Sequence, residues 1–202
     1  LVPEIPRPML TYGTRPEADV RAERVRQEGL RMYFEVHHAG GSFPVELNLP
    51  GRHNVLNALA AIGVGLELGV SVEAIRRALT SFQGIGRRFV VSQVQDTRGR
   101  GLVLIDDYGH HPREVAATLE AARQGWPGRR LVLVFQPHRY SRTQEQFDDF
   151  VQVLSGVDRL VLCEVYPAGE APIPGADGRA LSRAIRARAQ VDNQRMHELM
   201  AR

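Results

Sequence analysis

Three short apolar runs, LVLI (residues 102–105), LVLVF (131–135) and LVLC (160–163), each break off into a polar turn, and amphipathic segments separate them. Runs this short are strands rather than helices, and near-continuous aliphatic strands belong in a sheet covered on both faces. Strands that alternate with helices need crossover connections, so the pattern predicts an α/β fold with a Rossmann-like, mostly parallel sheet. The expected order is strand 88–94, turn 96–101, strand to Ile105, helix from Pro112 to about Gln124, strand 130–135, helix 143–155, strand 159–165 and helix 177–189. Pro112 suits a first helical turn, where its missing N–H would be unpaired anyway, and Glu114 complements the helix dipole.

The first part of the chain reads differently. Residues 1–29 begin with prolines and continue as ADVRAERVRQEG, which has no clear apolar face and is expected to be a crossing connection or a short helix. RMYFEVHH (31–38) and FPVELNL (43–49) alternate like strands around a glycine-bearing turn, a hairpin signature. NVLNALAAIGVGLEL (54–68) predicts a mostly buried helix with Asn54 as N-cap and Gly69 as its stop, and a second helix is expected from the cap Ser71 through Leu79. The segment SFQGIGRRF then marks a domain boundary, giving domains 1–85 and 86–202.

Composition excludes several classes. A hydrophobic fraction of 43% with 24% charged residues suits a folded globular protein. No apolar stretch approaches the roughly 18 residues of a membrane span, and LVPEIPRPML lacks the order of a signal peptide, so no membrane insertion and a cytosolic location are expected. All 26 basic residues are arginine, scattered among 23 acids without a basic cluster, which argues against nucleic-acid binding. The lone Cys163 lies in an apolar run and reads as a buried structural thiol.

In a parallel sheet the segments after the strand C-termini emerge on one edge, where ligands bind. Three segments have that address: DDYGHHP (106–112), QPHRYSRT (136–143) and EVYPAGEAPIPG (164–175). Asp106, Asp107, His110 and His111 could ligate a divalent ion, but their spacing fits no closed structural site and no metal ligand is assigned. Arg139 and Arg142 stand three apart, so both guanidinium groups can grip one carboxylate or phosphate. Gly51, His53 and Asn54 open a helix whose free N–H groups favour an anion or nucleotide. His111 is expected to pack under the helix after Pro112 and to satisfy a backbone carbonyl.

The strings PGRHNVLNALAA, GIGRRF, DDYGHHP, FQPHRYSRT and EVYPAGEAPIPG, in this order, resemble the Mur ligases of peptidoglycan synthesis. DDYGHHP and FQPHRYSRT point to the alanine-adding branch, with a muropeptide-recycling ligase as the closest competitor. The resemblance implies that residues 1–85 are the hairpin and helical tail of a central ATPase domain and that residues 86–202 are most of the acceptor domain. It further implies an ATP-dependent reaction in which the carboxylate of UDP-N-acetylmuramate is phosphorylated and the amine of L-alanine attacks the acyl phosphate. By motif position His53, Asn57, Arg88 and Asp107 correspond to nucleotide-binding residues, Tyr108, His138 and Arg142 to substrate-binding residues, and His110 and Arg139 to catalytic ones. His110 would accept a proton from the amine or position it. The phosphate-binding loop G-x-x-x-x-G-K-[ST] is not in this sequence, which has no lysine. The N-terminal and phosphate-loop portions, and with them the Mg²⁺ ligands, are therefore expected elsewhere in a longer chain, the C-terminal pattern departs at VDNQRMHELMAR, and this piece is expected to be inactive alone. A catalytically silent module that binds nucleotide or a protein partner is the other reading.

Overall fold

The computed structural model describes the backbone of residues 8–200 and the side chains of residues 8–190. The expectations for residues 1–7 and for the side chains of VDNQRMHELMAR lie outside the described residues. The fold is α/β, and the chain divides into two compact units. One runs up to Asp107 and also takes Ala117–Pro127; the other holds Tyr108–Ala116 and the chain from Gly128 onward.

The first unit is built on a four-stranded sheet in the order β1 (Tyr12–Gly13), β2 (Val20–Glu28), β3 (Arg31–His38), β4 (Gly41–Leu47). β1 is parallel to β2, and the remaining neighbours are antiparallel. The β3–β4 hairpin pairs His38 with Gly41, so its loop is Ala39–Gly40. α1 (Arg52–Glu67) and α2 (Val72–Ser81) cover one face of the sheet. Phe34, Val36, Val45 and Leu47 from the strands meet Val55, Leu59 and Ile62 from α1 in a dry core. Each such side chain contributes about 1.5–3 kcal/mol by leaving water. β5 (Val90–Gln95) and β6 (Gly101–Asp106) form a separate antiparallel hairpin in register Val90 to Asp106.

The segment expected to be a connection or short helix is strand β2. Val20 and Ala22 point into the core, but a bulge between Glu23 and Arg26, with Arg24 at φ 53°, inserts one residue. Beyond it Val25 and Gln27 face inward instead, so the period of two is broken in mid-strand and hidden from a pattern search. The outward face is laced by the pairs Arg21–Glu23 and Arg26–Glu28. A second correction concerns α1, which starts two residues before Asn54: its N-cap is Gly51, and Asn54 instead donates to Pro50 O at 2.7 Å. Ser71 caps α2 as expected, its hydroxyl accepting the Ala74 N–H. Gly69, at φ 72°, ends α1 with its N–H on Leu66 O.

In the second unit β7 (Val132–Phe135) and β8 (Arg159–Leu162) are parallel, in register Val132 to Arg159. The helix expected over 143–155 is two helices, α4 (Tyr140–Glu145) and α5 (Phe147–Leu154), broken at Gln146 where φ is −113°. The helix expected over 177–189 is α6 (Gly178–Met200). Phe135 of β7 packs its ring 5.5 Å from that of Phe150 in α5, and Leu154, Leu181 and Ile185 close this core. Cys163 is half-buried at the end of β8, its N–H on Phe135 O, rather than fully enclosed. The unit division falls within the remaining helix, α3 (Pro112–Gly125). Among the described residues no helix is long and apolar enough to cross a membrane.

Candidate functional site

The β7–β8 pairing does not stop at the strand ends. It continues as a parallel bridge between His138 and Tyr166, in which the Arg139 N–H donates to Tyr166 O at 2.8 Å and the Tyr166 N–H donates to Pro137 O at 2.8 Å. Two of the three polar segments are thereby stitched side by side. Their side chains follow: the His138 ring lies 5.4 Å from that of Tyr166 and 5.8 Å from that of His110. His110 in turn meets Tyr108 edge-on at 5.4 Å. Tyr108, His110, His138 and the Arg139–Arg142 turn thus gather within the second unit.

Arg139 has the most unusual backbone at the site. It sits at φ 72° and ψ 135°, a region that is nearly glycine-only for steric reasons. Both of its main-chain groups are held: Tyr166 O takes the N–H, while the carbonyl accepts the N–H of Thr143 at 3.1 Å and its hydroxyl at 2.8 Å. Thr143 is completely buried. Two residues after Arg139, Ser141 donates its N–H and its hydroxyl to the two oxygens of Glu170, at 3.0 and 2.7 Å. Those bonds hold the Glu170 carboxyl below its ordinary range.

Arg142 donates to His138 O at 3.2 Å and lies 3.4 Å from His138 Nδ1. A guanidinium only donates, so Nδ1 faces it unprotonated. Burial first, then Arg142, His110 and Arg139, lowers the His138 pKa from its ordinary value and favours the neutral ring. His110 Nδ1 sits 3.0 Å from Tyr108 O. A carbonyl only accepts, which assigns a proton to Nδ1. Glu114 fixes this turn by accepting the N–H groups of both His110 and His111 through one oxygen. His111 Nδ1 accepts the Arg113 N–H at 3.2 Å, so this histidine caps the start of α3 and does not bind a backbone carbonyl as expected.

The predicted nucleotide residues lie in the first unit. Gly51 is at φ 94°, and a side chain there would meet the His53 ring at 2.7 Å, so glycine lets the imidazole fold against the helix start. Gln27 accepts the Gly51 N–H at 3.0 Å and donates to Ala121 O at 3.3 Å, bracing this corner. Burial lowers the His53 pKa against the opposing pull of Asp107 and Glu120. Asp107 Oδ2 accepts the Phe89 N–H at 2.9 Å, which ties the GIGRRF segment to the end of β6. His53 and Asp107 are therefore electrostatic neighbours. Asn57 lies farther along α1, exposed, with its amide on Asn54 at 3.3 Å, and Arg88 is exposed beside the buried Phe89.

Sequence reasoning passed over Tyr166, Glu170, Ser141 and Thr143. EVYPAGEAPIPG had been marked as a segment, but its pairing with the β7 turn is a long-range property. Glu164 braces the same loop, taking the Gly178 N–H at 2.8 Å, and a cavity of about 340 Å³ opens among Tyr140, Glu164, Asp177 and Arg179. Among the described residues no group of three or more His, Cys, Asp or Glu is set to hold a metal ion.

Residues 86–201 match the profile of the Mur ligase glutamate ligase domain, and residues 2–65 match that of the Mur ligase middle domain. The UDP-N-acetylmuramate–L-alanine ligase of Halorhodospira halophila is 62% identical over 186 residues, covering 92% of this chain and 38% of that protein. The crystal structure of UDP-N-acetylmuramate-alanine ligase from Thermotoga maritima superimposes with a TM-score of 0.70 at 28% identity, over 88% of this chain and 37% of that one. A murein peptide ligase from Psychrobacter arcticus superimposes with a TM-score of 0.57 at 28% identity, over 91% of this chain and 36% of that one. The chain spans about two-fifths of the length of the curated relatives it matches. With the glutamate ligase domain alone taking in residues 86–201 of 202, the chain belongs to the Mur ligase family.

Proposed function

We propose that this chain is part of an ATP-dependent ligase that joins L-alanine to UDP-N-acetylmuramate in peptidoglycan synthesis. Residues 1–85 would be the C-terminal part of the ATP-binding domain and residues 86–202 most of the acceptor domain. The observation that carries the reading is the gathering of Tyr108, His110, His138, Arg139 and Arg142 at the continuation of the β7–β8 bridge. The 62% identity to an alanine-adding relative supports alanine over a peptide acceptor.

In this reading ATP phosphorylates the muramyl carboxylate, and the nitrogen of L-alanine attacks the acyl carbon as the C–O bond to phosphate breaks. The amide, ADP and phosphate result. Arg139 and Arg142 take the alanine carboxylate or the phosphoryl oxygens, where fixed positive charge is worth most in a site shielded from water. His110, with its proton on Nδ1, offers Nε2 to the amine, either accepting its proton or orienting its lone pair. Tyr108 and His138 shape the acceptor pocket, and the neutral His138 adds no third cation beside the arginines. His53, Asn57, Arg88 and Asp107 serve the nucleotide, Asp107 as a ribose-binding carboxylate. Mg²⁺ is a family expectation, and this reading assigns its ligands to the phosphate-loop portion of the longer protein.

Calorimetry on the 202-residue chain tests the assignment: L-alanine or ADP should bind, and Arg139→Ala should abolish the alanine heat. No heat with either ligand, or an Arg139→Ala titration matching wild type, rejects it. The complete protein, supplied with ATP and muramyl nucleotide, should release phosphate with free alanine and not with a tripeptide; the reverse would indicate the recycling ligase.

A further inference from the structure

The loop after β8 reaches into the turn after β7 through Glu170, and its two carboxylate oxygens meet the two donors of Ser141 at 3.0 and 2.7 Å, across 29 residues of sequence. Ser141 stands between Arg139 and Arg142. A side chain with two acceptors is what a paired N–H and O–H require, and a carboxylate satisfies both at once. The loop is itself contorted to deliver it: Ala168 and Gly169 take φ 50° and 88°, and the Glu170 N–H closes on Pro167 O at 3.0 Å. Two successive left-handed residues inside a closed four-residue turn match a type I′ turn, a costly choice at alanine.

The other end of the contact is contorted as well, since Arg139 holds φ 72° and ψ 135°. Such a conformation persists only where its surroundings over-determine it. Tyr166 O holds the Arg139 N–H, Thr143 holds its carbonyl, and Glu170 fixes the position that follows Tyr140.

We propose that Glu170 is a positioning residue, whose carboxylate clamps Ser141 and so sets the direction in which Arg139 and Arg142 present their guanidinium groups to an anion. The proposal rests on the reading of those arginines as the anion grip of the acceptor site. It separates two roles that Glu170 could play toward the same arginines. A carboxylate acting only as a negative charge would weaken anion binding, and removing it would tighten binding. A clamp strengthens binding, and removing it loosens the grip. Glutamine distinguishes the two, because its amide keeps an acceptor for the N–H and a donor for the Ser141 oxygen while the charge is gone.

The probe is inorganic phosphate, titrated into the 202-residue chain and followed through the side-chain Nε–H signals of Arg139 and Arg142 by NMR. Hydrogen exchange at Phe150 serves as the check that the second unit stays folded. We expect Glu170→Ala to weaken phosphate binding about tenfold, the size of one lost charge-assisted bond, while Glu170→Gln stays within about twofold of wild type. Wild-type affinity in Glu170→Ala, or tighter binding in both variants, overturns the clamp and leaves the arginine grip standing. An equal loss in both variants also overturns it. Should wild type and Arg139→Ala respond alike to phosphate, the arginine grip itself fails, and the clamp with it. If Glu170→Ala loses Phe150 protection, Ser141→Ala removes only the hydroxyl and should weaken phosphate about threefold; an unchanged affinity there overturns the proposal.

Discussion

The backbone of Arg139 can be tested without any substrate by comparing Arg139→Gly with Arg139→Ala. Both variants lose the same guanidinium and the same stem, so their difference isolates one Cβ held at φ 72°. A non-glycine residue in such a region costs about 1–3 kcal/mol, and glycine relieves it. Glycine also loosens the unfolded chain, which costs about 0.4–1 kcal/mol. The balance leaves the glycine variant more stable by about 1 kcal/mol. Phe150 is a suitable reporter: it is fully buried in the core of the same unit, and its N–H donates to Gln146 O at 2.9 Å. Native-state hydrogen exchange reads the opening free energy of that amide directly, and 1 kcal/mol corresponds to about fivefold in protection. Arg139→Gly should therefore exchange about fivefold more slowly than Arg139→Ala while binding phosphate no better. Equal protection, or greater protection in the alanine variant, would show that the backbone at this position carries no strain and that the site is not held against its preference.

Thr143→Val removes the hydroxyl that donates to Arg139 O at 2.8 Å from a fully buried position, and should cost about 1–3 kcal/mol by urea denaturation, whereas Thr143→Ser keeps the hydroxyl and should retain most of the stability. His138 and His53 both have folded pKa values below the ordinary 6.5, so the unfolded chain binds protons first as pH falls. Stability should be fully present above about pH 6.5 and decline as pH drops toward the folded values, and His138→Gln should flatten part of that decline in a pH series of denaturation curves. Ser71→Ala deletes the acceptor for the Ala74 N–H and should lower stability by about 1 kcal/mol without altering phosphate binding.

Where structure follows from local physics, the sequence was readable. Pro112 and Glu114 open α3, Ser71 caps α2, Gly69 ends α1, and the β3–β4 hairpin lies within two residues of its expected limits. The misses share a cause. In β2 one inserted residue at the Arg24 bulge reversed the inward parity, and a window that assumes a constant period sees noise there. The break at Gln146, where φ is −113°, likewise leaves no mark, because no glycine or proline is present there.

The site divides along the same line. The segments that hold Tyr108, His110, His138, Arg139 and Arg142 could be marked because they come after apolar strands, and the resemblance to the Mur ligases then singled out the five residues. Glu170 and Tyr166 could not be singled out, since what makes them matter is a partner about thirty residues away. Their contacts with Ser141 and Arg139 exist only once β7 and β8 pair in parallel and the ladder runs on to His138 and Tyr166. Three groups from outside the tripeptide Arg139–Ser141 hold its backbone, Tyr166 O, Thr143 and Glu170, and on the proposed reading that is what would make a directed grip of the guanidinium pair. The residues proposed to touch an anion are therefore written locally, while those proposed to aim them are written in the pairing of two loops.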